Sequence, residues 1–175
     1  MGDSDRDVMD EALDRNRAYA RVHGRRDLAV RPRRALAIVT CMDSRLDVFA
    51  ALGLAEGDAH VLRNAGGIVT DDTIRSLALS QRLLGTEAVM LIHHTDCGLE
   101  RVTEEGFRAE LARAAGAEPP FEIGAFSDVD DSVRRSIARV AASPFLPRRD
   151  RARGFVYDVT TGELREVRAE AVSSP

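Results

Sequence analysis

The chain has 175 residues, 44% of them hydrophobic and 31% charged, a balance that allows one folded domain with a true core and excludes wholesale disorder. Its formal net charge is −4 and its 25 basic residues are all arginine, so electrostatics give no case for a nucleic-acid partner. No apolar run approaches the roughly 20 residues that span a bilayer, and the acidic start, Met1 to Asp5, lacks the basic and apolar regions of a secretory signal.

The sequence therefore predicts a cytoplasmic protein with no membrane partner, and in that compartment cysteines serve metal or catalytic chemistry more often than disulfides. Cys41 and Cys97 are the only two.

Residues 4–24 read as a helix capped by Asp3 or Ser4, with Val8, Met9, Ala12 and Leu13 forming a partial apolar stripe. A basic connector follows over 25–34. Ala35 to Thr40 is a continuous apolar run of the kind a parallel sheet buries on both faces, and it ends at Cys41. A short helix over 46–52, closed by Gly53, leads to a second strand at 59–63 and a tight loop at Asn64–Gly67. Thr70 caps a helix that runs to about Leu84 and stops at Gly85. A third strand over 88–93 delivers His94 and Cys97 to the loop after it. Helices over 104–115 and 128–141, a late strand at 154–159 and a short hairpin partner complete the pattern, with Ser173–Pro175 as a tail. Strands alternating with helices predict an α/β fold whose central sheet is mainly parallel and flanked by helices. The expected organisation is a single domain over 1–175, with helix and connector over 1–34 and an α/β core over 35–170.

In open α/β sheets ligands bind beyond the carboxyl ends of the strands. Cys41 lies just past the first strand, and His94 and Cys97 just past the third. If those strands are neighbours, the three side chains meet at one edge as a Cys2His set, the donor chemistry of a catalytic zinc site with one exchangeable position. Taken singly, each cysteine is as readily a small buried hydrophobe and His94 a turn residue. The combination favours metal. His93 is expected to point elsewhere by strand alternation, and His23 and His60 to be surface or packing residues.

Asp43 and Arg45 flank the first candidate ligand and can pair with each other. That carboxylate has a choice: it can ligate the metal and close the site, or turn to Arg45 and leave the fourth position to water. The loop Arg63-Asn64-Ala65-Gly66-Gly67 can bring the backbone N–H groups of Ala65, Gly66 and Gly67 to a small anionic substrate. It is not a dinucleotide fingerprint, because G-x-G-x-x-G is absent.

Cys41-Met42-Asp43-Ser44-Arg45, Arg63-Asn64-Ala65-Gly66-Gly67 and His94-Thr95-Asp96-Cys97-Gly98 resemble, in order, spacing and strand-end placement, the motifs of the β-class carbonic anhydrases. The resemblance covers residues 35 to 100 and extends more loosely to Arg153–Asp158. It implies one zinc ion per subunit on Cys41, His94 and Cys97, and attack of zinc-bound hydroxide on CO2 to give bicarbonate. It implies Asp43 and Arg45 as the catalytic dyad, with Asp43 accepting a hydrogen bond from the bound solvent. It also implies a homodimer or higher homo-oligomer whose N-terminal helix packs across the partner. Pro32 and arginines stand where plant-type members have Gln, and the length fits the compact microbial branch. Some members carry a non-catalytic bicarbonate pocket that includes a Trp; this chain has no Trp, so that pocket is not expected.

Two other functions fit the same residues. One is hydrolysis of CS2 or COS at the same zinc. The other is a non-catalytic protein with a structural zinc, in which Asp43 is a permanent fourth ligand.

Overall fold

The structure, a computed structural model, describes residues 7–23 and 27–168. Its strands are β1 (Leu36–Cys41), β2 (Ala59–Asn64), β3 (Ala88–His94), β4 (Ala152–Tyr157) and β5 (Leu164–Val167), and its helices α1 (Val8–His23), α2 (Val48–Leu52), α3 (Asp71–Arg82), α4 (Glu104–Ala115) and α5 (Val129–Ala142). The strands form one sheet in the order β2-β1-β3-β4-β5. β1 pairs in parallel with both β2 and β3, β4 pairs in parallel with β3, and only β5 is antiparallel. The mainly parallel α/β sheet read from the sequence is the observed fold.

The apolar run of β1 is buried on both faces because the strand lies inside the sheet. Ala37 and Val39 face Leu77 of α3 and Val140 of α5, together with Val89 and Leu91 of β3. Ile38 points the other way, to Val48 of α2 and Ile92, as the two-residue period of a strand requires. α5 lies close on β4 at Gly154, where a Cβ would stand 2.3 Å from Val133 Cγ1 and 2.7 Å from Ile137 Cδ1. Only glycine permits that approach.

Several boundaries differ from the sequence reading, each for a local reason. β1 starts at Leu36 because Ala35 is left-handed, φ 48°, and turns its carbonyl to the N–H groups of Glu87 (2.7 Å) and Ala88 (3.2 Å). α1 starts at Val8, where the Asp7 carboxylate accepts from Met9 N–H at 2.8 Å; the expected caps Asp3 and Ser4 lie outside the described residues, as does the tail at 173–175. α2 starts at Val48 because Asp47 caps it, accepting from Ala50 N–H. α3 ends at Arg82, short of the expected Leu84, and Gly85 (φ 72°) makes the turn that follows. β4 runs over Ala152–Tyr157, two residues earlier than expected, because the turn between Asp158 and Gly162 begins there.

α1 buries none of its residues in this chain and leaves Val8, Met9, Leu13, Tyr19 and Val22 exposed. No helix among the described residues is long and apolar enough to cross a membrane.

Candidate metal centre

The parallel register aligns Thr40 of β1 with Ile92 of β3, so the carboxyl ends of the two strands lie side by side. Cys41 closes β1 and His94 closes β3. The turn through Thr95 and a left-handed Asp96 (φ 55°) then brings Cys97 back to the same point. One donor atom from each of Cys41, His94 and Cys97 lies within 4.8 Å of the others, and all three residues are buried. The sequence placed these residues together, and the structure does so. His94 belongs to the strand itself, where the sequence reading had it in the loop.

The His94 ring is set for a metal. Its Nδ1 lies 2.9 Å from the Thr95 carbonyl, which can only accept, so Nδ1 carries the proton and Nε2 presents a lone pair. That Nε2 is buried with no hydrogen-bond partner. An orphaned, tautomer-fixed imidazole nitrogen beside two sulfurs is what a tetrahedral zinc site requires of its protein.

The sulfurs are prepared as well. Cys41 is pulled down, first by the Cys97 thiol that donates to it and further by the backbone N–H groups of Asp43 and Gly66, against the opposing effect of burial. Cys97 is pushed up by that same hydrogen bond and by burial, so its proton is the one a binding cation displaces. Glu100 Oε2 accepts from Cys97 N–H at 3.1 Å. Phe126, Leu99 and Val129 pack against the two cysteines and shield them from water.

Asp43 and Arg45 pair as expected. Arg45 Nε donates to Asp43 Oδ1 at 3.0 Å and Nη2 to Oδ2 at 2.8 Å, and the Arg45 backbone N–H adds a third bond at 2.9 Å. These bonds hold the Asp43 carboxyl well below the usual carboxylate range. Asp43 Oδ2 also faces His94 Nε2 at 3.8 Å, so the carboxylate stands between the guanidinium and the ligand cluster.

The glycine loop packs against the strand that ends in Cys41. Gly66 (φ 77°) packs under Leu99, where a Cβ would stand 2.6 Å from Leu99 Cδ1. Gly67 (φ 68°) lies so close to β1 that a Cβ would stand 2.7 Å from Cys41 N and 2.8 Å from Thr40 C. Arg63 Nε donates to the Cys41 carbonyl at 2.9 Å and Nη2 to the Asp43 carbonyl at 2.6 Å, bracing the turn that carries the dyad.

His93 points away from the cluster, with Nε2 3.3 Å from Ser136 Oγ on α5, and burial lowers it to about 4, so it stays neutral. His60 bonds Ser80 Oγ at 2.7 Å and is a packing residue. His23 lies against the Tyr19 ring. The sequence reading missed Asp96, which accepts from both Arg45 and Arg101. Its place between His94 and Cys97 was the available signal.

A buried Cys2His set at the carboxyl edge of a parallel sheet, with an arginine-held carboxylate beside it, has the donor set that a mononuclear zinc site on an α/β fold requires. Residues 36–117 match the carbonic anhydrase family model. β-Carbonic anhydrase 1 of Mycobacterium tuberculosis is 46% identical over 160 residues, covering 91% of this chain and 98% of that protein. The solved carbonic anhydrase of Streptococcus mutans superposes with a TM-score of 0.87 at 46% identity, covering 93% of this chain and 99% of that one. A carbon disulfide hydrolase of Acidithiobacillus thiooxidans is 33% identical, covering 81% of each chain. The chain belongs to the β-carbonic anhydrase family.

Proposed function

We propose that the protein catalyses the reversible hydration of CO2 to bicarbonate and a proton, with one zinc ion per subunit held by Cys41, His94 and Cys97. The observation that carries this reading is the buried donor triangle with its unpartnered His94 Nε2. Zinc bound there supplies a Lewis acid that lowers the pKa of water toward neutrality. The protein supplies the rest. Asp43, ionised and gripped by Arg45, can only accept a hydrogen bond. With one proton given up to solvent the nucleophile keeps the other, and Asp43 can hold it by that proton while an oxygen lone pair faces the carbon of CO2. Being so weakly basic, Asp43 orients the nucleophile without removing its proton. Phe126 and Leu99 give the small apolar substrate a dry flank, and Ala65, Gly66 and Gly67 form the wall against which the product anion lies.

Stopped-flow CO2 hydration, followed with a pH indicator on zinc-loaded protein, tests the proposal. A rate no higher than buffer at full zinc occupancy overturns it. The identity to carbon disulfide hydrolases supports a second reading, tested by release of hydrogen sulfide from CS2 or COS in the same preparation. In a non-catalytic protein with structural zinc, both assays stay at background and Asp43 remains a permanent fourth ligand.

A homodimer or higher homo-oligomer is part of the proposal. Its support is α1, which exposes Val8, Met9, Leu13, Tyr19 and Val22 and buries nothing in its own chain, an arrangement that leaves an apolar stripe for a second copy. Sedimentation showing a monomer at micromolar concentration overturns this part. The two buried free cysteines support the cytoplasm as its compartment, and the single five-stranded sheet supports one domain over 1–175 as its organisation.

A further inference from the structure

Asp96 stands between two metal ligands in sequence and beside the Asp43–Arg45 pair in space. Its backbone is left-handed, φ 55°, a conformation that Asp tolerates better than most side chains. Both its carbonyl and its carboxylate reach the loop after β1. Arg45 Nη2 donates to the Asp96 carbonyl at 2.9 Å and Nη1 to Asp96 Oδ2 at 2.8 Å. The other carboxylate oxygen accepts from Arg101. On its opposite edge the same guanidinium holds Asp43, Nε to Oδ1 and Nη2 to Oδ2.

The two carboxylates use different N–H groups, so they share Arg45 without competing for one hydrogen. This matters because the Arg45 side chain is 45% exposed. A lone, half-exposed Asp–Arg pair is weak against solvent screening and the rotamer entropy of a long side chain. An anchor on a second loop, partly to a fixed backbone carbonyl, removes much of that freedom. Asp43 needs such an anchor, because the Oδ2 that meets Arg45 Nη2 is also the oxygen 3.8 Å from His94 Nε2.

We infer that Asp96 is a positioning residue: by tying Arg45 to the loop that carries Cys97, it keeps the Asp43 carboxylate turned to Arg45 and off the metal. This rests on the reading of Cys41, His94 and Cys97 as the ligands. It gives the residue just before Cys97 a role in choosing between the open and the closed site.

The test uses protein loaded with cobalt(II) in place of zinc, at one fixed pH, with metal content measured for every variant. The visible absorption of cobalt reports its ligand shell. Arg45→Ala, which frees Asp43, gives the reference spectrum for carboxylate on the metal. Asp96→Gly suits the left-handed backbone, keeps the carbonyl and removes the carboxylate. Its spectrum is expected to shift toward that of Arg45→Ala. Asp96→Asn, which retains an oxygen for Arg45 Nη1, returns most of the shift, and Asp96→Gly combined with Asp43→Ala abolishes it. An Asp96→Gly spectrum equal to wild type overturns the inference, as does a shift that persists without Asp43. Loss of metal from both Asp96 variants overturns it in favour of a purely structural turn. The readout needs no turnover: a cobalt protein that shows the shift, while its zinc form hydrates no CO2, fails the proposed function and keeps the positioning role.

Discussion

Arg45 grips Asp43 through both carboxylate oxygens, Nε to Oδ1 at 3.0 Å and Nη2 to Oδ2 at 2.8 Å, which leaves Asp43 an ionised acceptor beside the ligand cluster. Asp43→Asn puts an amide there that can donate and has no charge for Arg45. The expected outcome is a drop in kcat/KM for CO2 hydration of roughly 10²-fold, the scale on which losing the orientation of a reacting group acts. Zinc content stays near wild type, because the three ligands remain. Stopped-flow rates beside metal analysis check both halves, and an unchanged rate removes Asp43 from the mechanism.

Cys41, His94 and Cys97 come together only when β1 and β3 pair, so zinc binds the folded chain far better than the unfolded one. Added zinc is expected to raise the melting temperature, with stabilisation of roughly 4 kcal/mol at a thousandfold excess over its dissociation constant. A strong chelator reverses the effect. Cys97→Ser loses most of the zinc-dependent rise while its zinc-free melt changes little. Superimposed melts for wild type with and without zinc would show that the triangle does not bind the metal.

Gly154 lets α5 approach β4, with Val133 Cγ1 and Ile137 Cδ1 closer than any Cβ allows. Gly154→Ala forces the helix or those side chains to move, which costs about 1–3 kcal/mol by the usual scale of overpacking. Urea unfolding measures it. His94 lies three residues along β3 from Leu91, the residue that Gly154 pairs with, so a destabilised variant that still folds is expected to keep its zinc affinity.

The sheet and the ligands were legible because each is carried by a local pattern. The unbroken apolar run of β1 announces a strand buried on both faces, and Cys41 and His94 follow from where the strands stop. What escaped depends on contacts distant in sequence or on backbone conformation. Ala35 reads as the first residue of β1 by hydropathy, yet it is left-handed because its carbonyl serves Glu87 and Ala88, far along the chain. Asp96 carries no hydropathy signal, and only the packing of two strand-end loops joins it to Arg45.

Asp58 offers a pH test away from the metal. Its carboxylate caps the turn before β2, accepting from Ala55 N–H at 2.9 Å, and clamps the connector through Arg33 Nε at 2.9 Å and Arg34 Nε at 3.2 Å. The Ala55 N–H first, then Arg33, lower its pKa from 3.8 to about 2. A carboxylate depressed in the folded state contributes stability that is present above its unfolded pKa and lost as pH falls through the folded one. For Asp58 that window runs from 3.8 down to about 2. Asp58→Asn keeps an oxygen for Ala55 but not the charge for Arg33 and Arg34. The variant is expected to be less stable than wild type at neutral pH, with the gap closing across that window. Other depressed carboxylates, such as Asp130 and Glu166, are present in both proteins and cancel in the difference. Urea unfolding of the two proteins at a series of pH values measures the gap, and one that stays constant into acid would show that the Asp58 charge contributes nothing to the clamp.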